Sequence, residues 1–236
     1  MWHRPPAANA MVRITVALLL LLADVAPAAA AERILLFISD IMVESNGDLS
    51  VTETIRVEAE GRDIRHGIVR DFPTSYVDRD GARVDVGFDV QGVTRDGSPQ
   101  AWSGEQLTNG IRLRIGNADQ LLAPGQHDYV IRYRTNRQIG FFGDYDELYW
   151  NVTGSGWTLA IDQAEARITL PQAVSFLQSA LYTGSQGARG GDAELLEQRP
   201  GRIVFRTTRP LPPRNGLTVA VRWQKGVVEK PTNTPE

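Results

Sequence analysis

The chain has 236 residues, a formal net charge of −3 and an apolar content of 42%. That length allows one large domain or two small ones and enough core to fold unaided, and so small a net charge carries no strong nucleic-acid footprint. No cysteine is present, which excludes disulfides, thiolate metal sites and cysteine nucleophiles.

Residues 1–31 read as a secretory signal peptide. Arg4 and Arg13 form a positive start, Ile14 to Leu22 is an almost unbroken apolar run, and Ala28-Ala29-Ala30-Ala31 offers small residues for cleavage. The run is nine residues, against roughly 20 needed to span a bilayer, so a cleaved signal is expected rather than an anchor. No later run reaches spanning length. The expected mature chain is exported, to the periplasm or the outer face of the cytoplasmic membrane, with its folded domain at 32–226.

Almost every mature segment reads as strand. Ile34 to Ile38 is a β-rich apolar start, Asp40 to Glu44 follows, and Asn46-Gly47-Asp48 is a tight-turn signal. Leu49 to Glu58 alternates: Leu49, Val51, Ile55 and Val57 share one parity, with Glu53 interrupting it. That pattern fits a half-buried antiparallel strand. Arg65 to Pro73 follows, and Pro73 marks an edge or strand end. Val84 to Val90, Ile111 to Gly116 and Tyr129 to Arg134 alternate again, with turns at Arg95–Pro99 and Leu122–Gly125. Ala164 to Pro171 reads as strand, and Val174 to Tyr182 is a further candidate. Residues 184–192 form a glycine-rich loop. Arg202 to Arg206 and Leu217 to Trp223 read as a closing hairpin-like pair. The end, 227–236, has no pattern and is expected to be a disordered tail.

Many short strands separated by turn signals, with no convincing helix, predict an all-β fold, an antiparallel β-sandwich of immunoglobulin-like type. A faint echo between Leu122-Ala123-Pro124-Gly125 and Leu211-Pro212-Pro213 is compatible with two subdomains. A shared pre-strand turn explains it equally, and one domain is expected.

Three stretches together resemble a known family. Arg65-His66-Gly67-Ile68-Val69-Arg70-Asp71-Phe72-Pro73 is similar to its "R-G-I-x-R-x-x-P" stretch. Glu147-Leu148-Tyr149-Trp150-Asn151-Val152-Thr153-Gly154, followed by Trp157, is similar to its "L-Y-W-N-V-T-G-x-x-W" signature. Gly216-Leu217-Thr218-Val219, then Lys225-Gly226, resembles its closing strand. The family is the domain of unknown function 2207 group of predicted bacterial membrane proteins, and the similarity covers about Ala31 to Val228. It implies an extracytoplasmic β-rich domain after a signal peptide, usually followed by membrane-spanning helices. The sequence departs there: it stops at Glu236 with no span, as either a fragment or a soluble short form. The resemblance carries no catalytic residue and no cofactor.

The densest chemistry lies between Phe141 and Gly154. Asp144, Asp146 and Glu147 form a carboxylate cluster, suited to a hard cation such as calcium or to acid–base work. The calcium-loop pattern is absent, so no metal is assigned. The plainer account is a solvated acidic turn. Tyr149, Trp150 and Trp157, with Tyr145, offer flat rings for a sugar or peptide. Core packing is the plainer account here, and alternation places Trp150 inside and Tyr149 outside. Asn151-Val152-Thr153 matches a glycosylation sequon but is expected to serve turn hydrogen bonds. Arg65, Arg70 and Asp71 beside His66 read as an anion site or, more plainly, an Arg–Asp pair closing the sandwich. Nothing places Ser155 near a histidine, so no hydrolytic triad is formed.

The expected ligand-binding residues are thus Asp144, Asp146, Glu147, Tyr149, Trp150, Trp157 and Arg70. Catalytic residues and cofactors are not expected. The expected role is recognition or scaffolding, with an envelope protein or polysaccharide as partner and no nucleic acid. Membrane association would come from a segment absent from this chain. The alternative is an exported hydrolase or carbohydrate-binding protein acting on envelope polysaccharide. It needs carboxylates about 5–9.5 Å apart across a bond, and neighbours on one strand rarely supply that.

Overall fold

Seventeen strands and no helix make up the described part of the chain, residues 31–77, 81 and 83–230 of a computed structural model. The expected signal peptide, Ala31 apart, and residues 231–236 of the expected tail lie outside the described residues. In chain order the strands begin with β1 (Arg33–Val43), β2 (Leu49–Ala59), β3 (Gly67–Pro73), β4 (Ser75–Val77), β5 (Arg83–Asp85) and β6 (Phe88–Arg95). Two short strands, β7 (Ser98–Pro99) and β8 (Trp102–Leu107), lead to β9 (Gly110–Gly116) and the long β10 (Gly125–Thr135). The second half holds β11 (Ile139–Phe141), β12 (Tyr145–Asn151), β13 (Ala164–Thr169), β14 (Phe176–Gly184), β15 (Ala193–Arg199), β16 (Arg202–Thr207) and β17 (Gly216–Gln224).

An eight-stranded sheet in the order β15-β16-β13-β1-β2-β10-β6-β7 forms the large layer. A four-stranded sheet, β11-β12-β17-β14, and a three-stranded sheet, β3-β9-β8, contribute the facing side of the core, and β4-β5 is a small hairpin. All pairings are antiparallel except β1 with β13, which run parallel with Phe37 opposite Ala164. The β1–β2 turn follows its sequence: Gly47 has φ +87°, which glycine adopts freely, and the Asp48 amide donates to Asn46 Oδ1 at 3.0 Å.

The alternation read in β2 is realised, with Leu49, Val51, Glu53, Ile55, Val57 and Ala59 all buried. With Phe37, Ile41, Tyr129, Ile131 and Tyr133 they form the inner face of the large sheet. Ile68, Phe72, Leu113 and Ile115 of the three-stranded sheet join the same core cluster, as do Leu148, Trp150, Val219, Val221 and Trp223 of the four-stranded sheet. The Phe72 and Tyr133 rings meet edge-on at 5.0 Å, and Phe37 meets Trp157 at 6.2 Å. The all-β, layered architecture is as the alternation required.

Three local expectations change. The run Val84–Val90 is two strands, because Gly87 breaks it and gives its amide to Asn136 Oδ1 at 2.7 Å. The closing pair is not a hairpin: β16 ends the chain's part in the large sheet, and β17 lies in the four-stranded one. The proline-rich connection crosses between them, held where Leu211 and Ile161 exchange backbone hydrogen bonds at 2.8 and 2.9 Å. Residues 227–229 of the expected tail are ordered, since Val227 and Val228 are buried and the Glu229 amide donates to Ser45 O at 2.8 Å.

Candidate functional site

The chain leaves β12 through a tight corner, Asn151-Val152-Thr153-Gly154. Asn151 Oδ1 accepts the Gly154 amide at 3.1 Å, so the asparagine folds the turn back on itself. Thr153 Oγ1 accepts the Leu217 amide at 3.0 Å and donates to Gly154 O at 3.1 Å. Trp157 Nε1 donates to Thr153 O at 2.9 Å. Gly216 completes the joint: a Cβ there would lie 2.7 Å from Gly154 O. The sequon-like residues therefore serve the turn, as expected.

Arg70 reaches this corner from β3. Its Nε and Nη2 donate to Glu53 Oε2 and Oε1 at 2.9 and 2.8 Å, a forked pair with side chains 6% and 0% exposed. Tyr133 OH adds a bond to Glu53 Oε1 at 3.2 Å. The guanidinium lies 4.6 Å from the Phe72 ring centroid and 5.4 Å from that of Phe37. Its Nη1 donates to Asp71 O at 3.0 Å, and a Cβ on Gly154 would stand 2.8 Å from that same nitrogen. Burial works against the Arg70 charge, but the Glu53 carboxylate outweighs it and holds the guanidinium pKa above its ordinary value. Burial, reinforced by Glu53, pushes the Tyr133 phenol well above 10.

The expected Arg70–Asp71 pair is thus replaced by two separate pairs. Asp71 instead meets Arg112, across the β3–β9 ladder, through two bonds at 2.7 and 2.8 Å. That bond to Arg112 lowers the Asp71 pKa. Neighbouring strand residues point to opposite faces, so Arg70 enters the core while Asp71 stays at the surface.

Beside the corner runs a cleft of about 980 Å³. One wall is the whole of β3, Gly67 to Pro73. The other holds Tyr149, Asn151, Thr218 and Tyr182 from the four-stranded sheet, the corner residues 154–159 and the loop 184–189. Arg112, Arg189 and Arg214 also line it, with Asp63 and Asp71. Among the expected site residues, Arg70, Tyr149 and Trp157 line the cleft. Tyr149 is 59% exposed, and Trp157 is buried beneath the corner.

Asp144, Asp146, Glu147 and Trp150 are not brought to the cleft. Asp146 faces inward with Leu148 and Trp150, fully buried, and accepts a short bond from Lys225 Nζ. Glu147 faces outward and accepts from Arg222 Nε at 2.6 Å. Asp144 is exposed and joins none of the ion pairs found among the described residues. The three carboxylates therefore do not converge, and no group of three metal-ligating side chains exists among the described residues. Sequence reasoning missed Glu53 and Tyr133 behind Arg70, and Arg112, Arg189, Arg214 and Tyr182 in the cleft. Only Glu53 left a signal, as the one acid in an apolar parity.

These features define an all-β domain whose three signature stretches meet at one corner beside a cleft. The chain belongs to the family described as "Predicted membrane protein (DUF2207) N-terminal domain", whose model matches residues 33–223. It is 30% identical over 194 residues to the uncharacterized protein YciQ of Escherichia coli (strain K12), an alignment covering 81% of this chain and 30% of that protein. The chain thus spans less than a third of this relative's length. Among solved structures it resembles yeast LTA4 hydrolase in complex with bestatin, with TM-score 0.51 and 15% identity over 80% of this chain and 28% of that one. Native leukotriene A4 hydrolase from Saccharomyces cerevisiae gives 0.50 and 15%, over 81% and 29%. At that identity the likeness concerns the fold alone. No helix among the described residues is long and apolar enough to cross a membrane.

Proposed function

We propose that this is a recognition module of a bacterial membrane protein, displayed outside the cytoplasmic membrane and binding an envelope protein or polysaccharide in the cleft along β3. The observation that carries this reading is convergence. The three stretches that mark the family meet at one corner, and that corner and β3 form walls of the same cleft. Exposed Tyr149 offers a flat contact surface there, and arginines offer forked donors. The positive start, apolar run and alanine tract of residues 1–31 support export. Recognition rather than hydrolysis is favoured because Asp146 and Glu147 face opposite sides and each is engaged by a cation.

The test is site-specific photo-crosslinking in intact cells carrying the native gene product. A photoreactive residue replaces Tyr149 in the cleft or, as control, Met42, which is 51% exposed on β1. A discrete adduct with an extracytoplasmic macromolecule from position 149 and none from 42 is the expected outcome. Equal labelling from both positions, or none from 149, refutes the reading.

A further inference from the structure

The cleft wall formed by β3 is a strand edge. All seven residues of β3, of both side-chain parities, line it. The cleft therefore runs along the backbone of the strand rather than over one face. Among the described residues β3 is hydrogen-bonded as a strand on one side only, to β9. The register runs without a shift from Gly67–Gly116 to Pro73–Gly110, and the Thr74 amide bonds Asn109 O at 3.0 Å. Antiparallel pairs alternate between bonded and non-bonded, so Ile68, Arg70 and Phe72 direct their backbone groups to β9. Gly67, Val69 and Asp71 direct theirs into the cleft. Arg70 Nη1 already occupies Asp71 O, and Tyr76 OH occupies Pro73 O at 2.9 Å. What remains open is centred on Val69, whose side chain lies outside at 43% exposure.

The charges of the cleft are unequal. Arg112 is matched by Asp71, and Arg70 by Glu53. Arg189 joins no ion pair among the described residues, and Arg214 bonds only a backbone oxygen, Gly156 O, at 3.1 Å. Among the described residues Asp63 is the one carboxylate lining the cleft without an ion pair. Two guanidinium groups without a carboxylate partner, against one carboxylate, favour an acidic occupant.

We propose that the cleft binds an extended acidic segment of a partner polypeptide, which adds as a strand to the free edge of β3 at Val69 and places carboxylates against Arg189 and Arg214. Strand addition gives affinity through main-chain bonds and specificity through side chains on either side. The proposal rests on the recognition reading above and names its ligand.

The substitution Val69→Pro tests it, because it deletes the outward amide and leaves the β9 ladder whole, and proline is tolerated on edge strands. The probe is a fluorescent decapeptide of alternating Glu and Val with blocked ends, titrated into the full chain by anisotropy. Saturable binding is expected. Val69→Pro should weaken it about tenfold or more, the loss that follows when a bound partner group is left unsatisfied, and Val69→Thr should not. The same peptide N-methylated at alternate residues should bind as weakly to the unaltered protein, a result independent of any folding defect. A peptide with Lys for Glu should not bind. Equal binding by Val69→Pro, with an unchanged thermal midpoint, or by the N-methylated peptide, overturns strand addition. If binding then still disappears in the Arg189→Glu, Arg214→Glu double variant, the cleft remains a recognition site of another chemistry, such as an acidic polysaccharide. Absence of any saturable binding overturns the peptide proposal, and the Tyr149 crosslink then decides the recognition reading alone.

Discussion

Replacing Arg70 with leucine is the sharpest test of how the layers are held. Glu53 is fully buried and accepts two bonds from Arg70 and one from Tyr133. Without the guanidinium its charge keeps only the phenol. Removing one partner of a buried pair destabilises by about 3–5 kcal/mol, because the other charge is left uncompensated. Against a total stability of about 5–15 kcal/mol, that is a large fraction. In a domain of this size it corresponds to a fall in melting temperature of about 6–20 °C. Urea unfolding followed by tryptophan fluorescence reports it directly, since Trp150, Trp157 and Trp223 are all buried. The midpoint should fall with the slope unchanged. The double variant Glu53→Leu, Arg70→Leu should be more stable than Arg70→Leu alone, since no charge is then stranded. An Arg70→Leu midpoint within about 1 kcal/mol of the parent would refute the reasoning, since an exposed pair is worth no more than that. So would a double variant equal to the sum of the singles.

Gly154→Ala should destabilise by about 1–3 kcal/mol, because φ is +72° there and the new Cβ would press on Arg70 Nη1. A neutral result in the same urea assay would show that Arg70 yields at no cost. Stability should also depend on pH in a defined way. Asp71, bonded by Arg112, has a lowered pKa, as does Glu32, where burial opposes but four backbone amides prevail. The Glu165 pKa is lowered too, despite burial, by Arg167 and Arg206. The unfolded chain then binds more protons in acid, so stability falls as pH drops through the carboxylate range near about 4. Tyr133 is shifted the other way, so the folded state keeps a proton that the unfolded chain releases, and stability falls as pH rises above about 10. Thermal melts should show the midpoint falling through the acid range near about pH 4 and again above about pH 10, and a midpoint level through both ranges would contradict it.

How far the fold was legible depended on whether a strand had two different faces. β2 and β10 each put one parity in the core and the other in water, and both were readable from alternation alone. β8 and β15 lie at sheet edges, exposed along nearly their whole length, and carry no pattern to read. The partner of a strand was less legible still. β16 and β17 are successive and alternating, yet a proline-rich crossover sends them to different sheets. The same distinction holds at the site. Trp150 inside and Tyr149 outside follow from the pleat. That Arg70 would leave the Asp71 carboxylate to Arg112 and find Glu53 depends on a contact between layers, which spacing cannot give.

Arg70 also couples the core to the cleft. One edge of its guanidinium neutralises Glu53 on the large sheet, and the same group rests against Gly154 at the corner. Its Nη1 takes the Asp71 carbonyl out of the free edge of β3, which confines the open backbone groups to the neighbourhood of Val69. An ion pair buried for stability alone would be a poor choice, since apolar residues of similar size do as well or better. Here the pair has a second use. Arg70 Nη1 closes the edge on the Asp71 side, and a short open edge suits the proposed strand addition while limiting indiscriminate pairing. The signature residues on β3, at the corner and at the start of β17 are then understood together. β3 supplies Arg70, the corner brings Gly154 against its third nitrogen, and Gly216 at the start of β17 packs closely on Gly154.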